Sequence, residues 1–201
     1  MTTPTPRPRK LDPDLLNAEE VERLLARCSR RAPTGLRNRA LLTLGWRAGL
    51  RCQEALDLML KDVDFDSALI TVRNGNGGRT RRIGLDAGTA AVVEHWLRAR
   101  AKLGVGRTAP LLCTLDGHPC DSSYVRHLMK RLAVKAEIDK RAHFHGLRHA
   151  YAVALVNEGA PLTTVQALLG HSSAATTSIY LSRIGASDAV EFARQREWTP
   201  A

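Results

Sequence analysis

Apolar residues recur at intervals of three and four along most of the chain, the spacing of helices that pack one face on a core. The first helix is predicted to begin after Asn17, because Glu20 completes a capping box with it. Residues 32–35 are expected to break this helix, and the second is predicted over residues 36–49. Further helices are predicted over residues 50–56, from Asp86 or Gly88 to about 104, from Ser122 or Ser123 to about 136, over 143–159 and 161–170, from Ser173 onwards, and over 186–198.

Between residues 63 and 85 the helical spacing gives way to short runs rich in β-branched residues. Asp66 and Ser67 form one turn signal, and the glycine-rich residues 75–78 form another. This stretch predicts a three-stranded antiparallel β-meander. The predicted fold class is therefore α+β, mostly α-helical, with one small sheet.

Charge narrows the range of functions. The 201 residues carry 30 Lys and Arg against 20 Asp and Glu, a formal net charge of +10, which favours a polyanionic partner. Nucleic acid is the leading candidate, and an aromatic content of 4% argues against a single-strand binder that stacks bases. Neither an apolar run of membrane-spanning length nor a signal peptide is visible, and a cytoplasmic protein without a membrane partner is expected.

The four cysteines are spaced without the close pairs of a zinc site. Cys113, His118 and Cys120 could contribute ligands, but no fourth ligand is spaced to join them. Reduced structural thiols, and neither a metal nor a cofactor, are therefore expected.

Candidate catalytic side chains are most concentrated in residues 143–151. This run, which is predicted to be helical, contains three histidines and Arg148. A guanidinium can hold a phosphate while an imidazole moves a proton beside it. Taken alone, such a run is more often a solvated helix face. Arg51 is similarly ambiguous: it begins a predicted helix, where it could add charge to an anion site, or it could simply pair with Glu54.

Three short motifs change the balance when they are taken together. They are residues 48–51 with Glu54, residues 145–149 in the pattern His-x-x-Arg-His, and residues 168–171 followed nine residues later by Tyr180. In this order and spacing they resemble the catalytic signature of the tyrosine recombinases, the phage-integrase family, from about residue 17 to residue 180.

The resemblance implies a site-specific recombinase or integrase that cleaves and rejoins double-stranded DNA without metal or ATP. Tyr180 would attack the scissile phosphate and form a 3′-phosphotyrosyl bond, while Arg51 and Arg148 clamp the non-bridging oxygens. His145 would assist proton transfer from the tyrosine, and His171 would donate to a non-bridging oxygen. His143, His149 and Tyr151 are assigned structural roles.

The hairpin departs from the family pattern. Where the family usually carries a lysine that protonates the leaving 5′-oxygen, this chain has Asn76. A guanidinium is a poor acid, so the arginines of the hairpin would not replace that lysine, and slowed cleavage is expected. The residues predicted to contact DNA are Arg73, Arg79, Arg81 and Arg82 in the hairpin, with Arg126 and Lys130 on the polar face of a later helix.

Three segments are predicted: a flexible basic and proline-rich arm over residues 1–16, a catalytic domain over 17–185, and a C-terminal helix or tail over 186–201 that could dock on another subunit. A separate N-terminal DNA-binding domain is not expected in this chain, which could be a minimal integrase, a fragment of a longer one or a degenerate copy. The alternative function is a catalytically impaired DNA-binding or accessory protein derived from an integrase, and a relaxing topoisomerase of the same chemistry is a third option. A tetramer on synapsed DNA, or a partner recombinase, is possible.

Overall fold

Seven helices and one small sheet make up the part of the chain that the computed structural model describes, residues 15–73 and 80–170. The helices are α1 (Ala18–Ala26), α2 (Pro33–Arg47), α3 (Cys52–Leu56), α4 (Ala87–Lys102), α5 (Ser122–Lys135), α6 (Phe144–Asn157) and α7 (Leu162–Leu169). The strands are β1 (Val63–Asp64), β2 (Leu69–Val72) and β3 (Arg81–Gly84), with a 3₁₀ turn at Leu60–Asp62 before them. The predicted α+β, mostly helical class is confirmed.

The capping box of α1 is present as predicted: the Asn17 side chain accepts from the Glu20 N–H at 2.8 Å, and the Glu20 carboxylate accepts from the Asn17 N–H at 2.8 Å. The predicted start of α2 is wrong. Pro33 is the first residue of that helix rather than part of a break before it. A proline is tolerated there because the first N–H groups of a helix have no intrahelical partner.

The sheet is antiparallel in the order β1-β2-β3, which confirms the predicted meander. Val63 pairs with Ile70, and Ile70 with Ile83, so these three apolar side chains share one face. Ile70 and Ile83 are fully buried on that face. The sheet therefore packs one side on the core and leaves the other to solvent.

Helix α2 is central and packs against both α4 and α6. Its residues Leu41, Leu42 and Leu44 are buried. On the α6 side, a Cβ at Gly45 would lie 2.7 Å from the Phe144 ring, so the absence of a side chain at Gly45 lets the two helices approach closely. This close packing holds the start of α6 against the C-terminal half of α2.

Helix α5 begins one residue earlier than a Ser122 cap would give and two residues earlier than a Ser123 cap would give. Asp121, rather than Ser122 or Ser123, is the N-cap, and its carboxylate accepts from the Tyr124 N–H at 2.8 Å. The predicted core residues of this helix, Val125, Leu128, Leu132 and Ala136, are buried. Helix α7 ends as predicted at Gly170, which has φ +61°.

The helices predicted after Ser173 and over residues 186–198 lie outside the described residues. None of the helices in the described part of the chain combines the length and the apolar character that a membrane span requires. The same part of the chain contains no group of three or more His, Cys, Asp or Glu side chains that could hold a metal ion.

Candidate active site

One carboxylate organises the candidate site. Glu54, in α3, is 9% exposed. Its Oε2 accepts from the backbone N–H of Arg51 at 2.8 Å, and its Oε1 accepts from Nη1 of the Arg51 side chain at 2.8 Å. The pairing that the sequence left open for Arg51 is therefore present. It fixes the arginine at the head of α3 while leaving 29% of its side chain accessible.

A second arginine reaches the same carboxylate from the sheet. Arg81, the first residue of β3, donates Nη1 to Glu54 Oε1 at 2.9 Å and Nη2 to Oε2 at 2.7 Å. Its Nε donates to the carbonyl of Leu168 at 3.2 Å, near the end of α7. Two parallel N–H···O bonds between an arginine and a carboxylate are among the strongest hydrogen bonds in proteins. Together with the bond to Leu168, this pair links α3, β3 and α7.

The pKa of Glu54 is set mainly by its burial and by the arginines beside it. Burial by itself would raise the pKa of this carboxyl, but the hydrogen bonds from Arg81 and Arg51 and the charge of Arg81 outweigh burial and lower the pKa to about 2. Glu54 is therefore ionised at neutral pH, and its charge is shared between two arginines.

Arg148 lies on the buried side of the Glu54 carboxylate, next to its pairs with Arg51 and Arg81. Its Nη1 lies 3.9 Å from Glu54 Oε2 and donates to the carbonyl of Gly49 at 2.6 Å. Its Nη2 donates to the carbonyl of Leu169. The residue is only 1% exposed, so the structure brings Arg148 beside Arg51 but keeps its guanidinium covered.

The turn at Gly49 makes this arrangement possible. Gly49 has φ +61°, and a Cβ there would lie 2.5 Å from Cδ1 of Tyr151. Only glycine fits both the backbone conformation and the ring that packs on it. Tyr151 is buried against this turn, in agreement with the structural role predicted for it.

His145 lies one turn before Arg148 on α6, with its ring edge-on to His149 at a centroid distance of 4.4 Å. The side chain remains accessible at the surface. Partial desolvation, followed by the positive charges of Arg148, His143 and Arg51, lowers the pKa of His145 below its usual value. The imidazole is therefore mostly neutral at pH 7, the form that can accept a proton.

The arrangement agrees with comparisons to known proteins. Residues 14–184 match the Phage integrase family. The chain belongs to this family.

Curated relatives carry recombinase names. Tyrosine recombinase XerC 2 of Ralstonia nicotianae is 37% identical over 174 residues, which cover 86% of this chain and 50% of the relative. Tyrosine recombinase XerC of Xanthomonas campestris pv. campestris is 38% identical over 178 residues, covering 86% of this chain and 52% of the relative. The chain thus spans about half the length of these relatives.

Solved structures give the same result for the fold. The XerA recombinase matches with a TM-score of 0.79 and 25% identity, covering 98% of this chain and 68% of the other. The XerH site-specific recombinase bound to a palindromic difH substrate matches with a TM-score of 0.72 and 30% identity. The match covers 84% of this chain and 49% of the XerH chain. These neighbours confirm the predicted tyrosine recombinase catalytic-domain fold.

Of the five catalytic residues predicted from the phage integrase resemblance, the structure brings three together: Arg51, His145 and Arg148. The other two, His171 and Tyr180, lie outside the described residues, as do Asn76 and Arg79 of the hairpin. The described chain ends at Gly170, directly before His171, and Arg81 and Arg148 hold the last carbonyls of α7 there.

Two residues of the candidate site have roles that sequence reasoning missed. His143 caps α6, because its Nδ1 accepts from the Gly146 N–H at 3.0 Å. Desolvation and the charge of Arg141 lower the pKa of His143, which favours the neutral form that can accept this bond. Arg81 binds Glu54 across the sheet, and no local sequence signal indicates that pairing.

The residues predicted to contact DNA differ in how much of each side chain is exposed to solvent. Arg82 is exposed on β3, and Arg73 is 56% exposed although its Nε donates to Asp62 at 2.6 Å. Arg81 has only 12% of its side chain accessible, because Glu54 and α7 surround it. Arg126 and Lys130 are exposed on α5 and line a cleft of about 590 Å³.

Proposed function

We propose that this chain is the catalytic part of a site-specific DNA recombinase that cleaves and rejoins strands through Tyr180. The observation that carries the proposal is the cluster of Arg51 and Arg148 about the Glu54 carboxylate, with a neutral His145 beside it. Arg81 also pairs with this carboxylate. Three guanidinium charges thus lie near one negative charge, which leaves net positive charge for an incoming phosphodiester.

The reaction divides into charge stabilisation and proton transfer. Tyr180 Oη forms a bond to phosphorus as the bond to the 5′-oxygen breaks, and the leaving oxygen takes up a proton. Phenol has a pKa of roughly 10, so a neutral imidazole such as His145 is suited to accept its proton. The phosphotyrosyl bond retains the energy of the broken bond, and a 5′-hydroxyl can reverse the step without ATP.

Arg148 must become accessible before it can touch a phosphate. With 1% of the residue exposed and its terminal nitrogens on the carbonyls of Gly49 and Leu169, a phosphate oxygen cannot reach it in this conformation. Arg51, with 29% of its side chain accessible, is suited to make the first contact. Substrate binding is therefore expected to move the end of α7 away from Arg148.

Duplex DNA is the proposed substrate. The net charge of +10 and the exposed basic side chains support it, and the similar XerH recombinase was solved on a difH substrate. Assembly as a tetramer on two duplexes, or with a partner recombinase, is proposed with it.

Asn76 is proposed to slow the reaction rather than abolish it. An asparagine side chain supplies no acidic proton for the leaving 5′-oxygen, so water would have to provide it. The Asn76→Lys variant should cleave faster than the wild type in a single-turnover assay. An unchanged Tyr180-dependent rate would show that Asn76 does not limit cleavage.

The central experiment traps the covalent intermediate. Because the target sequence is not known, the protein is incubated with a pool of nicked suicide duplexes with randomised cores, and adducts are isolated on a denaturing gel and sequenced. The wild type should form a protein–DNA adduct on a recurring sequence, and Tyr180→Phe should form none. Absence of adduct while DNA binding is retained would favour the accessory-protein alternative.

A further inference from the structure

The cleft of about 590 Å³ beside α5 adjoins the candidate site, because Cys52, the residue after Arg51, and His143, the cap of α6, both line it. We call it the α5 cleft. Val134, which is 79% exposed, lines it as well. Buried apolar side chains of α5, of α6 and of the connection between them complete the lining: Val125, Ala133, Ile138, Ala142 and Phe144. The cleft therefore offers an apolar surface next to the first catalytic motif.

Four cations line the same cleft: Arg126, Lys130, Lys140 and Arg141. Among the residues that the structure describes, no carboxylate lines it. Lys140 pairs with Glu20 at 3.2 Å, whereas the other three cations form no ion pair within residues 15–73 and 80–170. An occupant that fits this cleft therefore combines apolar side chains with negative charge.

The first described residues of the chain lie at the edge of the α5 cleft. Lys140 Nζ donates to the carbonyl of Leu15 at 3.2 Å. A Cβ at Gly146 would lie 3.5 Å from Leu16 Cδ1 and 3.7 Å from His143 Cε1, so Leu16 and His143 flank the same point on α6. Because Lys140 and His143 both line the cleft, the backbone that precedes Leu15 starts at its edge.

Residues 11–14 have the composition that such an occupant needs. They read Leu-Asp-Pro-Asp. Proline favours an extended backbone, in which alternate side chains point to opposite sides, so one side of the segment is apolar and the other carries two carboxylates. Four extended residues span at most about 14 Å, so the segment stays close to the cleft edge. Residues 1–10 hold three cations and no acid, which makes them unsuited to a basic cleft.

We propose that residues 11–14 dock in the α5 cleft of the same molecule, with their apolar side on the apolar lining and their two acids against the cations that form no ion pair. Docked in this way, the segment is a strap that brings negative charge beside Arg51. A phosphodiester that approaches Arg51 would have to compete with the strap, so the contact is autoinhibitory. This last consequence rests on the proposed function, whereas the docking itself does not.

Cys52 reports whether the cleft is covered, because its half-buried thiol lines it. The 201-residue chain is alkylated with N-ethylmaleimide at about pH 8.5, and each cysteine is followed by peptide mass spectrometry. If the strap is docked about nine-tenths of the time, Leu11→Ser/Asp12→Asn/Asp14→Asn should speed alkylation of Cys52 about tenfold. Cys120, which is half-buried outside the cleft, is the internal reference and should react at an unchanged rate.

The matched control Glu22→Gln/Asp116→Asn removes two exposed acids elsewhere and should leave the Cys52 rate unchanged. An unchanged Cys52 rate in the strap variant would overturn the docking. A second measurement uses Leu11→Cys, in which a short bismaleimide should join the new thiol to Cys52 within one monomer. Absence of this cross-link, or its formation only between two monomers, would also overturn the proposal.

These measurements separate the strap from the proposed function because none of them uses DNA. If Cys52 is not protected by the strap, only this inference fails, and the Tyr180 adduct can still form. If no adduct forms but the strap variant exposes Cys52, the docking stands and the proposed function fails.

Discussion

Replacing Glu54 by glutamine tests the centre of the site. The change keeps the shape of the side chain but removes the negative charge that Arg51 and Arg81 share and that Arg148 approaches to 3.9 Å. Three guanidinium groups would then be close together without a neutralising acid. Removing one partner of a buried ion pair typically destabilises a protein by about 3–5 kcal/mol, because the other charge stays buried.

The pKa of Glu54 gives a second estimate of how much its charge stabilises the folded state. Its lowering from 4.5 to about 2 corresponds to about 3 kcal/mol of stabilisation of the folded state. Because the folded-state pKa is the lower one, this stabilisation is present above pH 4.5 and is lost as the pH falls toward 2. About 2 kcal/mol of it should already be lost at pH 3.

The assay is urea unfolding of the wild type and Glu54→Gln at several values between pH 3 and pH 7. At pH 7 the variant should be less stable by about 3 kcal/mol, and the difference should shrink to about 1 kcal/mol at pH 3. Glu94→Gln is the matched control, because its pair with Arg98 at 3.4 Å is largely exposed and should contribute little at any pH. A difference that stays constant with pH would refute the assigned role of the carboxylate charge.

Three further predictions follow from the same geometry. Gly49→Ala should lower the free energy of unfolding by about 2–4 kcal/mol in urea titrations, because the new Cβ meets Tyr151 and the backbone has positive φ. His143→Ala should cost about 1 kcal/mol at pH 8. Since the pKa of His143 is lowered in the folded state, that difference should vanish as the pH falls below 6.5 through the folded-state value. Arg81→Gln should reduce stability, yet leave the salt slope of DNA binding unchanged, because Glu54 and α7 occupy its donors; a reduced slope would place Arg81 on DNA.

Local signals account for what the sequence could predict of the fold. The Asn17 capping box, the β-branched run between two turn signals and Gly170 each act within a few residues, and each has the predicted structure. The errors were also local. Pro33 can begin a helix as well as break one, and the choice of Asp121 over two neighbouring serines as a cap is a small energetic difference that the sequence does not decide.

The site was harder to predict than the fold, because its key pairings are long-range. Glu54 and Arg81 are 27 residues apart, and nothing in either neighbourhood indicates their contact. The resemblance to the integrase motifs brought Arg51, His145 and Arg148 together correctly, but it gave no indication that Arg148 is covered. Arg148 donates to carbonyls that lie 99 and 21 residues away in the chain, and no motif encodes such contacts.

The covered state of Arg148 has a physical consequence for how the site could work. Arg81 and Arg148 both face Glu54 on one side and both donate to carbonyls at the end of α7, on Leu168 and Leu169, on the other. The C-terminal carbonyls of a helix carry partial negative charge, so they compete with any anion for these guanidinium groups. A phosphate at Arg148 would therefore compete with the Leu169 carbonyl for the same guanidinium group. Gly170 follows these carbonyls directly, so the proposed phosphate contact of Arg148 would depend on how the end of α7 is held.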